Sequence, residues 1–143
     1  MKTVIFALIA LGVATMAFAH GGVKNPAVLA RMENMKAISD QMKGLAAMAK
    51  EERPFDAAQI VRSLEQISAD AARIPALFQA PETDPKSEAL PAIWQEFDRF
   101  ENLSADLSVA VTEVGAPENL TDLRSAVQQI GVTCKACHDP FRD

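Results

Sequence analysis

The chain has 143 residues, a length that fits one domain with a single real core. Its 19 acidic residues outnumber its 14 basic ones for a net charge of −5, a poor match for nucleic acid or an anionic membrane surface. The two cysteines and two histidines do not readily supply a zinc site as they are placed.

Residues 1–19 read as a cleaved signal peptide. Lys2 gives a positive start, Val4 to Val13 an apolar run, and Ala17-Phe18-Ala19 a small-x-small cleavage site. The run is short for a membrane span, and His20-Gly21-Gly22 is not a stop-transfer pattern, so a retained anchor is the weaker alternative. The mature domain is expected over 20–143, periplasmic in a Gram-negative host and without membrane insertion. Loss of Lys2 leaves 13 basic against 19 acidic residues, a charge of −6.

Four helical segments follow. In the first, Asn25 is the N-cap and Pro26 opens the helix, where its missing N–H costs nothing. Val28, Met32, Met35, Met42 and Ala46 form its seam, Ile38 and Leu45 widen it, and Gly44 suggests a close approach; the end falls near Lys50. The second starts around Asp56, runs through Ala57, Ile60, Leu64, Ile67, Ala71 and Ile74, and is expected to stop at Pro75. Pro75, Pro81 and Pro85 mark a long loop to Lys86. The third begins between Ser87 and Pro91 and carries Ile93, Phe97, Phe100, Leu107, Val111 and Val114, with Trp94 and Leu103 beside that stripe as core packing. Gly115-Ala116-Pro117 closes it. The fourth, capped by Asn119 or Thr121, runs through Leu123, Val127, Ile130, Cys134, Cys137 and Phe141. Short, long and short connections between such helices predict an all-α fold, an antiparallel four-helix bundle.

Cys134-Lys135-Ala136-Cys137-His138 is a C-x-x-C-H sequence, the pattern for covalent attachment of one c-type haem. Each thiol is placed to add to a vinyl group, and His138 to ligate the iron. A disulfide or a redox dithiol is the alternative use of the pair. Both cysteines fall on the apolar stripe, so the haem is expected inside the bundle near the C-terminal helix, and Gly131 leaves room for a flat ring. Across the ring the sulfur candidates are Met32, Met35, Met42 and Met48, and the other imidazole is His20; helical spacing does not choose between Met32 and Met35. Taken by themselves, Arg31 on the first helix and Arg142 at the chain's end read as solvated side chains.

The stretch from Cys134 to Arg142, with Ala92-Ile93-Trp94-Gln95, Phe55-Asp56-Ala57-Ala58 and Arg31-Met32-Glu33-Asn34-Met35-Lys36, resembles the cytochrome c-prime family, the class II cytochromes c, over essentially the whole mature chain. The resemblance implies a four-helix bundle, Arg31 at a haem propionate and Arg142 on the proximal side. Methionine at 35 resembles the low-spin subgroup, in which that residue ligates the iron opposite His138. The loop Gln79 to Lys86 departs from the family in lacking a glycine-containing turn. The reading expected is a one-electron carrier with unidentified redox partners, not an enzyme, as a monomer or homodimer. A five-coordinate protein that binds nitric oxide or carbon monoxide is the alternative. A peroxidase is weaker still, because no distal acid–base histidine is evident.

Overall fold

The computed structural model describes residues 22–143. The predicted leader and His20 lie outside them. The described residues form α1 (Pro26–Ala49), α2 (Ala57–Phe78), α3 (Ala92–Gln95), α4 (Phe97–Glu113) and α5 (Leu120–Phe141), with no strand among them beyond an isolated bridge. The four long helices make the expected bundle, in which α1 packs on α2, α2 on α4, α4 on α5 and α5 back on α1.

Side chains set the helix starts. The Asn25 carboxamide oxygen accepts from the N–H groups of Ala27 (2.9 Å) and Val28 (3.2 Å), and Pro26 takes the first position. Asp56 accepts from Gln59 N (2.9 Å), and Asn119, not Thr121, caps α5 through Thr121 N and Asp122 N. Each satisfies amide donors that a helix end leaves unpaired. Gly115 ends α4 with φ +60°, the left-handed region that glycine enters without strain.

Three expectations are corrected. Pro75 does not stop α2, which continues to Phe78. A proline forfeits one helical hydrogen bond, but here tertiary contacts hold the extra turn. Phe78 is buried against Phe100 at 5.0 Å between ring centroids, and the side chains of Arg31 and Trp94 donate to the carbonyls of Leu77 and Phe78. The third segment is two helices, broken at Glu96 (φ −125°, ψ 43°). The break lets Ile93 enter the core while the indole of Trp94 reaches Phe78 O at 2.7 Å. Gly44 marks no close approach, since a Cβ there would meet only the Arg53 guanidinium, at an ordinary 3.9 Å.

The segment between α2 and α3 is a strap across one end of the bundle. Asp84 Oδ2 accepts from Lys24 N (2.9 Å) and Asn25 N (3.1 Å), which ties it to the start of α1. Its far side holds the end of the chain, through Leu90 N to Phe141 O (3.0 Å) and Asp143 N to Glu88 O (2.9 Å). At the other end Leu45, Met48, Ile60, Leu64 and Leu123 close a solid apolar core.

Candidate haem site

A cavity of about 600 Å³ opens between α1 and α5 at the strapped end. That volume lies within the usual range for cofactor pockets, about 300–1,000 Å³. All six residues singled out in the sequence border it: Arg31, Met35, Cys134, Cys137, His138 and Arg142. Its floor is apolar, from Ile74, Phe78, Ile93, Phe100 and Leu107. Gly131 borders it too, and a Cβ there would meet nothing within 4 Å, so the ring-facing wall is open at that point.

Cys134 and Cys137 are free thiols, half-buried against the core and presented to the cavity from one face of α5. Burial raises both above the ordinary thiol value, and with Cys134 alongside, Cys137 reaches about 11. A redox dithiol needs the opposite shift, toward an easily formed thiolate. The buried surroundings therefore do not make the easily formed thiolate that a redox dithiol uses. His138 is pulled below its ordinary value by burial first and by Arg142 second, against weaker opposition from Glu88 and Asp139. The ring is held neutral, with a lone pair free for a metal.

Opposite stands α1. Met32, Met35 and Met42 line the cavity, whereas Met48 is 0% exposed in the far core and does not. Four sulfur candidates thus become three. Met35 is half-buried and packs against the core cluster.

Arg31 is 3% exposed, which removes the solvated reading of this residue. Its Nε donates to Leu77 O (2.8 Å), one Nη to Glu82 O (2.7 Å) and the other to Ala80 O. The guanidinium also lies over the rings of Phe78 (4.9 Å) and Trp94 (5.3 Å). It clamps the end of α2 and the strap to α1 beside the cavity. Burial lowers its pKa and Glu82 partly offsets this, yet an arginine stays charged. Arg142 is not a frayed terminus. It bridges to Ala89, and its Nε donates to Glu88 Oε2 at 2.6 Å on the cavity rim.

Residues 79–86 of the strap do not line the cavity; Ser87, Glu88 and Ala89 do. Sequence reasoning missed Lys36, Glu88 and Phe78 as wall residues. Phe78 lay past the expected helix end, and Glu88 meets Arg142 only through the fold. Lys36, directly after Met35, had no signal beyond its position. Arg31, Lys36 and Arg142 against Glu88 make the lining net basic within an acidic chain, which suits a cofactor with two propionates. The residues present therefore fit a covalently attached haem.

The family model described as cytochrome c′ matches residues 26–142. The chain is 36% identical over 110 residues to a cytochrome c′ of Rhodopseudomonas palustris, covering 76% of this chain and 75% of that one. It is equally 36% identical over 110 residues to a cytochrome c-556 of Agrobacterium tumefaciens, covering 76% and 89%. Among solved structures, cytochrome c′ from Rhodopseudomonas palustris superposes with TM-score 0.77 at 34% identity, over 84% of this chain and 98% of that one. A structure of oxidised cytochrome c556 from the same organism gives TM-score 0.76 at 32% identity, with the same coverage.

Proposed function

The chain belongs to the cytochrome c′ family and is a monohaem c-type cytochrome, and we propose that it is a periplasmic one-electron carrier whose iron lies between His138 and Met35. When bound, the haem supplies the one-electron iron couple. The residues of the chain set its surroundings. Cys134 and Cys137 fix it to α5, and His138 offers a neutral imidazole from the same helix. Phe78, Phe100 and Ile93 exclude water from the floor, an environment that favours a raised potential. Arg31 and Arg142, both on the cavity lining, would supply positive charge to the propionates.

One observation carries the choice of an electron carrier: across the cavity from the helix that bears His138, the α1 wall is lined by thioethers, those of Met32, Met35 and Met42. A thioether held across from His138 would close a bound iron to gases and make it low-spin. Met35 is favoured over Met32 because it packs against the core, and over Met42, which packs there too, because of the resemblance of Arg31 to Lys36 to the family's first-helix motif. Export rests on the signal peptide pattern of residues 1–19. Among the described residues no acid–base histidine lines the cavity beside His138, and no catalytic role is assigned.

The competing reading is an open-sided iron that takes nitric oxide or carbon monoxide. It is kept by the equal identity to a cytochrome c′ and a cytochrome c-556. Absorption spectra of the oxidised and reduced protein, before and after carbon monoxide, separate the two. The carrier reading predicts low-spin spectra, a sulfur-to-iron charge-transfer band in the oxidised form and little gas uptake. A high-spin ferric spectrum with ready uptake would sink it.

A further inference from the structure

The α4–α5 pair carries a second concavity, an open groove of about 550 Å³ lined by these two helices alone. Its apolar centre is Val109 and Val132, which are 52% and 65% exposed, the most exposed large hydrophobic side chains among the described residues. Nothing local recommends valine there, since a β-branched residue on a solvated helix face is a poorer helix former than alanine or lysine. The charged residues of the lining are both acidic, Asp106 and Glu113. Neither is in an ion pair, and Glu113 only accepts a 3.3 Å hydrogen bond from Gln129. The cations adjoining the α5 side of the lining in sequence are already engaged, Arg124 with Glu51 and Lys135 with Asp139.

The geometry points to this groove as the docking surface for a basic protein partner that presents a small apolar knob. Charge complementarity selects the partner. A second copy of this acidic chain would bring the same carboxylates to the same place, and like charges facing each other oppose association. The groove is also continuous with the cofactor site. Thr133 lines both concavities, and Val132 and Thr133 directly precede Cys134. A partner seated on the two valines is separated from the haem cavity by the thickness of α5. A patch this small suits a brief encounter, of the class that buries less than about 1,200 Å². That the partner is a redox protein rests on the electron-carrier reading; the surface itself does not.

The test measures equilibrium binding of the intact holoprotein to a lysine-rich mitochondrial cytochrome c, used as the basic probe, at low and high salt. Asp106→Asn/Glu113→Gln and Val109→Ser/Val132→Ser are compared with the parent, and Glu88→Gln serves as the control at the cavity rim. Binding is expected to weaken with salt, and by roughly two- to tenfold in each groove variant, with Glu88→Gln near the parent. The inference is overturned by groove variants that bind like the parent, by loss confined to Glu88→Gln, or by a dimer in sedimentation that the valine changes dissolve. Spectra of the same samples report the axial ligands separately. A high-spin spectrum with groove-dependent binding would end the carrier reading and leave the surface standing.

Discussion

The two halves of the bundle are built from the same long helices with the same apolar spacing, and they finish differently. In one, Leu45, Met48, Ile60, Leu64 and Leu123 fill the space between helices with their own side chains. In the other, α1 and α5 stand back from a cavity, and the closing is done by Arg31, the strap and the C-terminal residues. Met48 and Met35 put the contrast on one helix. The first is sealed in the core, and the second is half-buried on a cavity wall. The far half is filled by its own side chains, while the near half is a frame for something the chain does not itself provide.

The largest break in that comparison comes from denying the frame its haem. In Cys134→Ala/Cys137→Ala, stability is expected to fall by more than about 4 kcal/mol, as for a tightly bound ligand removed. Hydrogen exchange locates the loss. Amides near Met35 and Cys134 lose protection first, whereas those near Leu45, Ile60 and Leu123 keep it. Uniform loss would mean the halves are not distinct.

Next in size is the clamp. Arg31→Gln leaves backbone carbonyls of Leu77, Ala80 and Glu82 without their buried donor and should cost about 2–4 kcal/mol in chemical denaturation. The cost should persist in the haem-free variant. If it vanishes there, Arg31 acts only through the haem. Smaller again, Met48→Leu should cost under about 1.5 kcal/mol and leave the haem spectrum untouched, because it swaps one core hydrophobe for another of similar volume.

The smallest effect concerns the strap and pH. Asp84 lies below the ordinary carboxylate value because the backbone N–H groups of Lys86, Lys24 and Asn25 donate to it. A carboxyl depressed on folding adds stability that is full above its unfolded value and is lost as pH falls through the lower folded one. Asp84→Asn should therefore flatten the acid limb of a stability–pH curve, with its loss of stability largest near neutrality and smallest in acid, where Asp84 is itself protonated. An unchanged acid limb would remove Asp84 from the strap's account.

What the sequence made legible follows the same division. Local chemistry was readable: the caps at Asn25, Asp56 and Asn119, the helical stripes, and the Cys134–His138 sequence, whose spacing carries its own meaning. Long-range compensation was not. Pro75 gave a correct local signal for a helix end, but Arg31 and Trp94 supply hydrogen bonds from elsewhere in the chain that override it. The break at Glu96 likewise answers to where Ile93 and Trp94 must reach. The role of Arg31 as a clamp could not be read from a helix face, since its partners lie in the following helix end and strap. Periodicity put Met32 and Met35 on one seam; the cavity removed Met48 from the candidates, and no spacing rule would have done so.

The central claim is that Met35 closes the iron's second face. Its most direct test is the absorption spectrum of the oxidised Met35→Leu protein beside the parent, Met32→Leu and Met42→Leu. The account predicts that Met35→Leu alone loses the sulfur-to-iron charge-transfer band, turns high-spin and takes up carbon monoxide when reduced. A Met35→Leu spectrum identical to the parent's would contradict it.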